Sequence, residues 1–117
     1  MQLQGIHHVS INVKDVPQAT DFYCQVLGLE QLPRPDLGFP GAWLRAGNQE
    51  VHLLGIDSTA PPKEQHFAFA VADLAEVQAQ LENADIQCSK VMKIDGVCLQ
   101  AFAHDPSGNM LEFNQRL

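Results

Sequence analysis

The chain carries histidine or glutamate at one comparable point in each of four β-like segments. The segments read IHHVSINV, EVHLLGI, QHFAFAV and MLEFNQ, and the potential metal ligands in them are His8, His52, His66 and Glu112. Each ligand stands between apolar residues, so the alternation of a β-strand turns it to one face and its neighbours to the other. A fold for this chain must therefore contain four strands that each present one metal-binding group.

The four segments form an internal repeat. His8 aligns with His66 at an offset of 66 − 8 = 58 residues, and His52 aligns with Glu112 at 112 − 52 = 60. The first offset also matches neighbouring positions, namely Ile11 with Phe69, Val13 with Val71 and Asp15 with Asp73. This repeat predicts one domain over residues 1–117, built from two half-domains at about 1–57 and 63–117 that each supply two ligands.

Composition and charge limit the class of protein. At 117 residues with 45% hydrophobic content, the chain has the size of one ordinary globular domain. A net charge of −7 without a Lys/Arg cluster argues against nucleic acid as a partner. No run approaches the ~18 apolar residues of a membrane span, and three cysteines without CxxC spacing favour a reducing compartment. We therefore expect a cytoplasmic protein without a nucleic-acid or membrane partner.

The first half predicts the order βαβββ. Asp15 supplies a helix N-cap, Pro17 fits the first turn and Gly28 is a natural C-terminal stop. Apolar residues recur at helical spacing in this segment. Strands are predicted at residues 5–13, 30–32, 42–45 and around His52.

The second half predicts the same order. Residues 55–64, rich in Pro, Ser and Thr, form the joint between the halves. A strand to about Val71 leads to Asp73 as the next N-cap and to a helix over 74–84. Three more strands are predicted near residues 86–91, 97–103 and 110–115, the last two joined by the turn sequence DPSGN.

Four motifs in this order resemble one family. They are the opening IHHVSINVKD, the helix end FYCQVLGL, the central HFAFAV with its following Asp, and the closing DPSGNMLEF. Together with the βαβββ-βαβββ order, they resemble the vicinal oxygen chelate superfamily, which includes glyoxalase I, methylmalonyl-CoA epimerase, extradiol dioxygenases and bleomycin-resistance proteins. The resemblance covers essentially the whole chain. It implies an α+β fold in which two βαβββ modules form a cupped mixed β-sheet, with helices on the convex face.

The resemblance also implies a metal centre on the concave face. It places His8, His66 and Glu112 on the family's usual metal ligands and His52 on a variable position, often Glu in glyoxalase I. Imidazoles and a carboxylate suit Zn, Ni, Co, Mn or Fe(II), and they leave coordination positions for two vicinal oxygens of a small-molecule substrate. Glu112 has a second predicted role as the catalytic general base.

Three functions are compatible with this ligand set. The first is a divalent-metal-dependent lyase or isomerase resembling glyoxalase I, although Asn12 stands where glyoxalase I commonly has an arginine for glutathione, and His52 replaces a carboxylate. The second is an Fe(II)-dependent extradiol-type dioxygenase, since two histidines and one carboxylate also suit oxygen chemistry. The third is a non-enzymatic, bleomycin-resistance-like protein that binds a small molecule. The resemblance implies a homodimer in each case.

Several side chains near the ligands have open roles. Strand alternation turns His7 to the face opposite His8. Trp43 either walls a substrate cup or packs in the core. Arg34 and Arg45 either bind a substrate carboxylate or lie at the surface.

Overall fold

The computed structural model describes residues 1–57 and 61–117. The chain divides into two compact units, Met1–Thr59 and Ala60–Leu117. Part of the predicted joint, residues 58–60, lies outside the described residues. In the described part of the chain, no helix has the length and apolarity needed to cross a membrane.

The first unit has the order βαβββ and forms one four-stranded sheet. Its strand order is β1-β4-β3-β2, in which β1 and β4 run parallel and the other neighbours antiparallel. The elements are β1 (His8–Val13), α1 (Val16–Asp21), a π-helical segment (Phe22–Val26), β2 (Glu30–Leu32), β3 (Gly41–Ala46) and β4 (Gln49–Gly55).

The second unit repeats this architecture. Its sheet has the order β5-β8-β7-β6, again with one parallel pair, β5 and β8. The elements are β5 (His66–Ala70), α2 (Leu74–Asn83), β6 (Met92–Ile94), β7 (Cys98–His104) and β8 (Met110–Arg116). The predicted α+β class with two βαβββ modules is confirmed.

Aspartates begin both helices, as the sequence predicts. The Asp15 carboxylate accepts a hydrogen bond from the Gln18 backbone N–H at 3.0 Å. Asp73 does the same for Ala75 at 3.0 Å and Glu76 at 3.4 Å. Each cap satisfies backbone donors that the first helical turn leaves unpaired.

One face of each sheet is apolar and packs against the helix of its own unit. Because side chains alternate along a strand, residues at every second position reach this face. The buried residues of the first unit are Val13, Ala19, Phe22, Tyr23, Ala42, Leu44, Val51 and Leu53, and those of the second include Leu74, Leu81, Ala101, Ala103, Leu111 and Phe113. The opposite face of each sheet is thereby left for polar side chains.

The strand predicted near residues 86–91 is wrong, since β6 is Met92–Ile94. After α2 the chain turns through Asp85, whose φ is 57°. Ser89 then holds the segment against β7 without a regular ladder. Its backbone N–H donates to the Phe102 carbonyl at 2.9 Å, and its hydroxyl accepts from the Phe102 N–H at 2.8 Å. The side chain replaces a strand partner here, which apolar alternation does not reveal.

Other element limits also differ from the prediction. The first strand begins at His8 instead of residue 5. The first helix widens at its end, where the Leu27 N–H donates to the carbonyl of Phe22, five residues earlier. Gly28 follows with a φ of 81°, the left-handed conformation expected of a helix stop.

Substitution of Gly41 by alanine should destabilise the first unit by about 1–3 kcal/mol, as other overpacking changes do. A Cβ there would lie 2.5 Å from the Leu53 carbonyl oxygen and 2.8 Å from Arg34 Nη2. Urea unfolding measures the loss. Gln31→Ala, at an exposed position of β2, is the control and should change stability by less than about 0.5 kcal/mol. Equal stability of the two variants would contradict the close approach at Gly41.

Candidate metal centre

In the first unit, the two predicted ligands lie on the face opposite the apolar core. Across the parallel β1–β4 pair, His8 lies opposite Glu50. Two residues further along, Ser10 lies opposite His52. Both histidines therefore project from the same face. Their imidazoles stack, with ring centroids 3.9 Å apart and planes inclined by 16°.

His52 is enclosed by its neighbours on this face and is only 7% exposed. Trp43, directly opposite in β3, stacks on the imidazole with centroids 4.8 Å apart and planes inclined by 13°. Glu50 Oε1 accepts a hydrogen bond from His52 Nε2 at 2.8 Å. Trp43 thus belongs to the ligand face and not to the apolar core.

Charges in the first unit favour a neutral His8 and an ionised Glu50. Partial burial and the neighbouring His52 and His7 lower the pKa of His8. The hydrogen bond from His52 lowers the pKa of Glu50. Neutral imidazole and ionised carboxylate are the protonation states in which these groups bind metals.

The prediction that His7 turns away from His8 is wrong. The two Nδ1 atoms lie 2.8 Å apart, and the rings meet edge to face with centroids 5.1 Å apart. His7 precedes β1, so strand alternation does not govern its direction.

In the second unit, His66 and Glu112 share a face through the same register, on the parallel β5–β8 pair. His66 Nε2 lies 3.0 Å from Glu112 Oε1. His66 Nδ1 donates to the backbone carbonyl of Glu64 at 2.8 Å. Asn114 Nδ2 donates to Glu112 Oε2 at 2.8 Å. The hydrogen bond to Glu64 and, after it, contact with Glu112 raise the pKa of His66, against the effect of partial burial.

An aromatic residue stands opposite the second predicted ligand of each sheet. Trp43 faces His52 in the first unit, and Phe102 faces Glu112 in the second. Phe102 also meets the His66 ring edge to face, with centroids 5.5 Å apart. The repeat therefore extends beyond the ligands to the apolar groups beside them.

The two side chains of the pair in the second unit are close enough to reach one metal ion. Two ligands bound at ~2.1 Å to one tetrahedral ion lie about 3.4 Å apart, close to the 3.0 Å between His66 Nε2 and Glu112 Oε1. The Glu64 carbonyl accepts from Nδ1 and directs Nε2 towards Glu112 Oε1, and such acceptors commonly orient histidines that ligate metals.

The pair in the first unit is less well oriented for binding one metal ion. The lone pairs of an imidazole lie in the ring plane, and the rings of His8 and His52 stack nearly parallel. At least one ring must rotate before both can bind one ion. Among the described residues, no three His, Cys, Asp or Glu side chains form a ready-made metal cluster.

Arg45 and Arg34, whose roles the sequence leaves open, differ in their surroundings. Arg45 Nη2 binds Glu30 Oε2 at 2.8 Å, and both side chains are largely exposed. Arg34 lies over the Phe39 ring, 4.9 Å from its centroid. Its Nε and Nη2 atoms are buried and have no hydrogen-bond acceptor in residues 1–57 and 61–117.

Comparison with known proteins decides the family. The model of the Glyoxalase/Bleomycin resistance protein/Dioxygenase superfamily matches residues 5–113. The chain belongs to this superfamily. The resemblance seen in the four sequence motifs is therefore confirmed.

The relatives of this glyoxalase superfamily member include enzymes and resistance proteins. Glyoxylase I 4 of Arabidopsis thaliana is 31% identical over 96% of this chain and 71% of the relative. A glyoxalase family protein of Bacillus anthracis is 28% identical, with a TM-score of 0.89, over 100% of this chain and 98% of that one.

A second glyoxalase superfamily structure contains a metal. It is a variant of the fosfomycin resistance protein FosX of Listeria monocytogenes, complexed with Mn(II) and 1S,2S-dihydroxypropylphosphonic acid. It shares the fold, with a TM-score of 0.87 over 99% of this chain and 95% of that one, at 14% identity. Members of the superfamily thus use divalent metals.

Sequence reasoning missed several residues beside the predicted ligands of this superfamily member, and Glu50 is the one among them that the pattern could have revealed. The signal that could have found it is its spacing, two positions before His52 in the same strand, which places both on one face. Val51, which lies between Glu50 and His52, is buried in the apolar core on the other face.

Proposed function

We propose that this protein is a divalent-metal-dependent lyase or isomerase of glyoxalase type, acting on a small substrate held through two vicinal oxygens. In this proposal the four predicted ligands, His8, His52, His66 and Glu112, bind a single ion. The observation that carries it is the identical strand register of the two ligand pairs. Kinship with Glyoxylase I 4 and the Mn(II) complex of FosX support the same chemistry.

The ligands suit a Lewis-acid role for the metal. When bound, a divalent cation stabilises negative charge that develops on the substrate oxygens. Zn, Ni, Co, Mn and Fe(II) all accept mixed imidazole and carboxylate ligands. His66 is oriented for binding by the Glu64 carbonyl, and partial burial and the neighbouring His52 lower the pKa of His8, which favours its neutral form.

Glu112 is the residue that we propose moves the proton. Its carboxylate takes a proton from the carbon beside the substrate carbonyl, and the C–H electron pair remains with the substrate. Return of the proton to the neighbouring carbon, together with transfer of the hydroxyl proton from one vicinal oxygen to the other, completes the isomerisation without a change in the number of electrons. Asn114 holds Oε2, so Oε1 is the atom that exchanges the proton, and a metal held by Glu112 would have to leave this oxygen free.

Metal analysis with a substrate screen tests the proposal. Protein purified without chelator should contain about one transition-metal ion per chain, as expected for one site of three or four ligands. The loaded protein should convert hemithioacetals or related α-hydroxycarbonyl compounds. Inactivity on all of them with metal in place would contradict the proposal.

Two other outcomes indicate the alternative functions. Oxygen consumption with catechols by the Fe(II) form would indicate an extradiol-type dioxygenase. Failure to take up stoichiometric metal, even after reconstitution, would indicate a small-molecule binding protein of the bleomycin-resistance type.

We also propose that the protein is a homodimer. Each four-stranded sheet of the described residues ends in two edge strands, β1 and β2 in one and β5 and β6 in the other. Edge strands carry backbone groups able to pair with a second chain. Light scattering should give a molar mass twice that of one 12.9 kDa chain.

A further inference from the structure

We infer that Glu50 is a positioning residue for His52, and that it makes Nδ1 the atom through which His52 binds the metal. The inference rests on the proposed function, because His52 is a ligand only there. It adds a residue to the site and names the ligating atom.

The hydrogen bond between the two side chains determines where the imidazole proton lies. Glu50 Oε1 and His52 Nε2 are 2.8 Å apart. An ionised carboxylate can only accept, so Nε2 must carry the proton. In a neutral imidazole the free lone pair is then on Nδ1.

The surroundings hold this arrangement in place. Both residues project from the same face of β4 because they are two positions apart. The side chain of His52 is 9% exposed and that of Glu50 30% exposed, so solvent competes weakly for the bond. Trp43 stacks on the His52 ring and restricts its rotation, so His8 is the ring that would turn before both histidines could bind one ion.

His66 shows the opposite arrangement. Its Nδ1 donates to the Glu64 carbonyl, and its Nε2 faces Glu112 Oε1 at 3.0 Å. The register equivalent of Glu50 in the second sheet is Met110, since each lies opposite the first ligand of its unit. A carboxylate behind the second ligand is therefore particular to the first unit.

The contact of Glu50 with His52 has a chemical consequence, because a carboxylate partner adds negative charge beside a neutral imidazole. A carboxylate that accepts from the distal N–H makes an imidazole a more basic ligand and fixes its orientation. Glu50 thus adds negative charge to the site without contacting the metal.

The test measures zinc affinity and the protonation of His52 in the whole protein. In the wild type, ¹⁵N-detected imidazole NMR should show the proton on Nε2 before zinc is added and zinc on Nδ1 afterwards. Glu50→Ala should lower zinc affinity by roughly 10–100-fold, the usual effect of losing an outer-sphere partner. Glu50→Gln keeps the size of the side chain and an acceptor oxygen. Its zinc affinity should lie between that of the wild type and that of Glu50→Ala.

Glu30→Ala is the matched control. Glu30 is a carboxylate of the same sheet that hydrogen-bonds Arg45 and no candidate ligand, so zinc affinity should stay at the wild-type value. Circular dichroism shows whether Glu50→Ala folds. If it does not, Glu50→Gln alone tests the inference, and a zinc affinity of Glu50→Gln equal to that of the wild type overturns it.

The outcomes separate this inference from the proposed function. Zinc on Nε2 of His52, or an unchanged affinity in Glu50→Ala, would overturn the role of Glu50 and leave the metal-dependent function standing. A wild-type protein that takes up no zinc or other divalent metal would overturn both.

Discussion

Nickel or cobalt should quench the fluorescence of Trp43 in the wild-type protein, and His66→Ala should abolish this quenching at the same metal concentration. Trp43 is the single tryptophan of the chain, and its ring stacks on His52. A paramagnetic ion on His52 would therefore lie close to the fluorophore. His66 belongs to the other unit, so its removal affects Trp43 only when both units bind the same ion.

The expected loss of affinity in His66→Ala is on the order of 100-fold or more, because a direct ligand contributes more than the roughly 10–100-fold of an outer-sphere partner. Fluorescence titration measures it. His104→Ala, which removes an exposed histidine of β7, is the control and should keep full quenching. Wild-type quenching in His66→Ala would show that the first unit binds its own ion, and the centre of four ligands would be wrong.

Glu112→Gln should lower turnover by about 10²–10⁴-fold, the usual contribution of a general base. Glutamine keeps the shape of the side chain and an oxygen that can bind metal, but it takes no proton at neutral pH. The substrate is the compound that the screen identifies, and metal content is measured on the same sample. Loss of turnover with metal retained would assign the base role, whereas loss of both would assign Glu112 chiefly as a ligand.

Glu82→Gln is the control for this variant. Glu82 is an exposed residue of α2 in the same unit, so the change in net charge is equal while the ligand face is untouched. It should retain wild-type turnover. Full activity in Glu112→Gln would remove Glu112 from the proposed mechanism.

Much of the fold follows from local sequence. Asp15 and Asp73 precede apolar helical patterns, and both cap helices because a short carboxylate can reach the free N–H groups of the first turn. The strands Glu30–Leu32 and Met110–Arg116 lie where alternation predicts them. Such signals act over a few residues, so a single chain reveals them.

The failed predictions lie where distant contacts override local preference. The sequence predicts a strand at residues 86–91, but there the Phe102 backbone bonds both the backbone N–H and the hydroxyl of Ser89, without a regular ladder. Their partner in β7 is not visible in the local pattern. His7 follows no strand period because β1 begins after it.

In the candidate site, too, local sequence determines some features and tertiary contacts determine others. Two-residue periodicity alone assigned His8, His52, His66 and Glu112 to strand faces, because side chains alternate whatever the partner strand. Tertiary structure decided which atoms meet. The register of the parallel pairs brings His66 to within 3.0 Å of Glu112, 46 residues away in sequence, and stacks His8 on His52. Periodicity also puts Glu50 on the face of His52, but only side-chain packing shows that it binds Nε2, since a hydrogen bond depends on distances that a strand pattern does not contain.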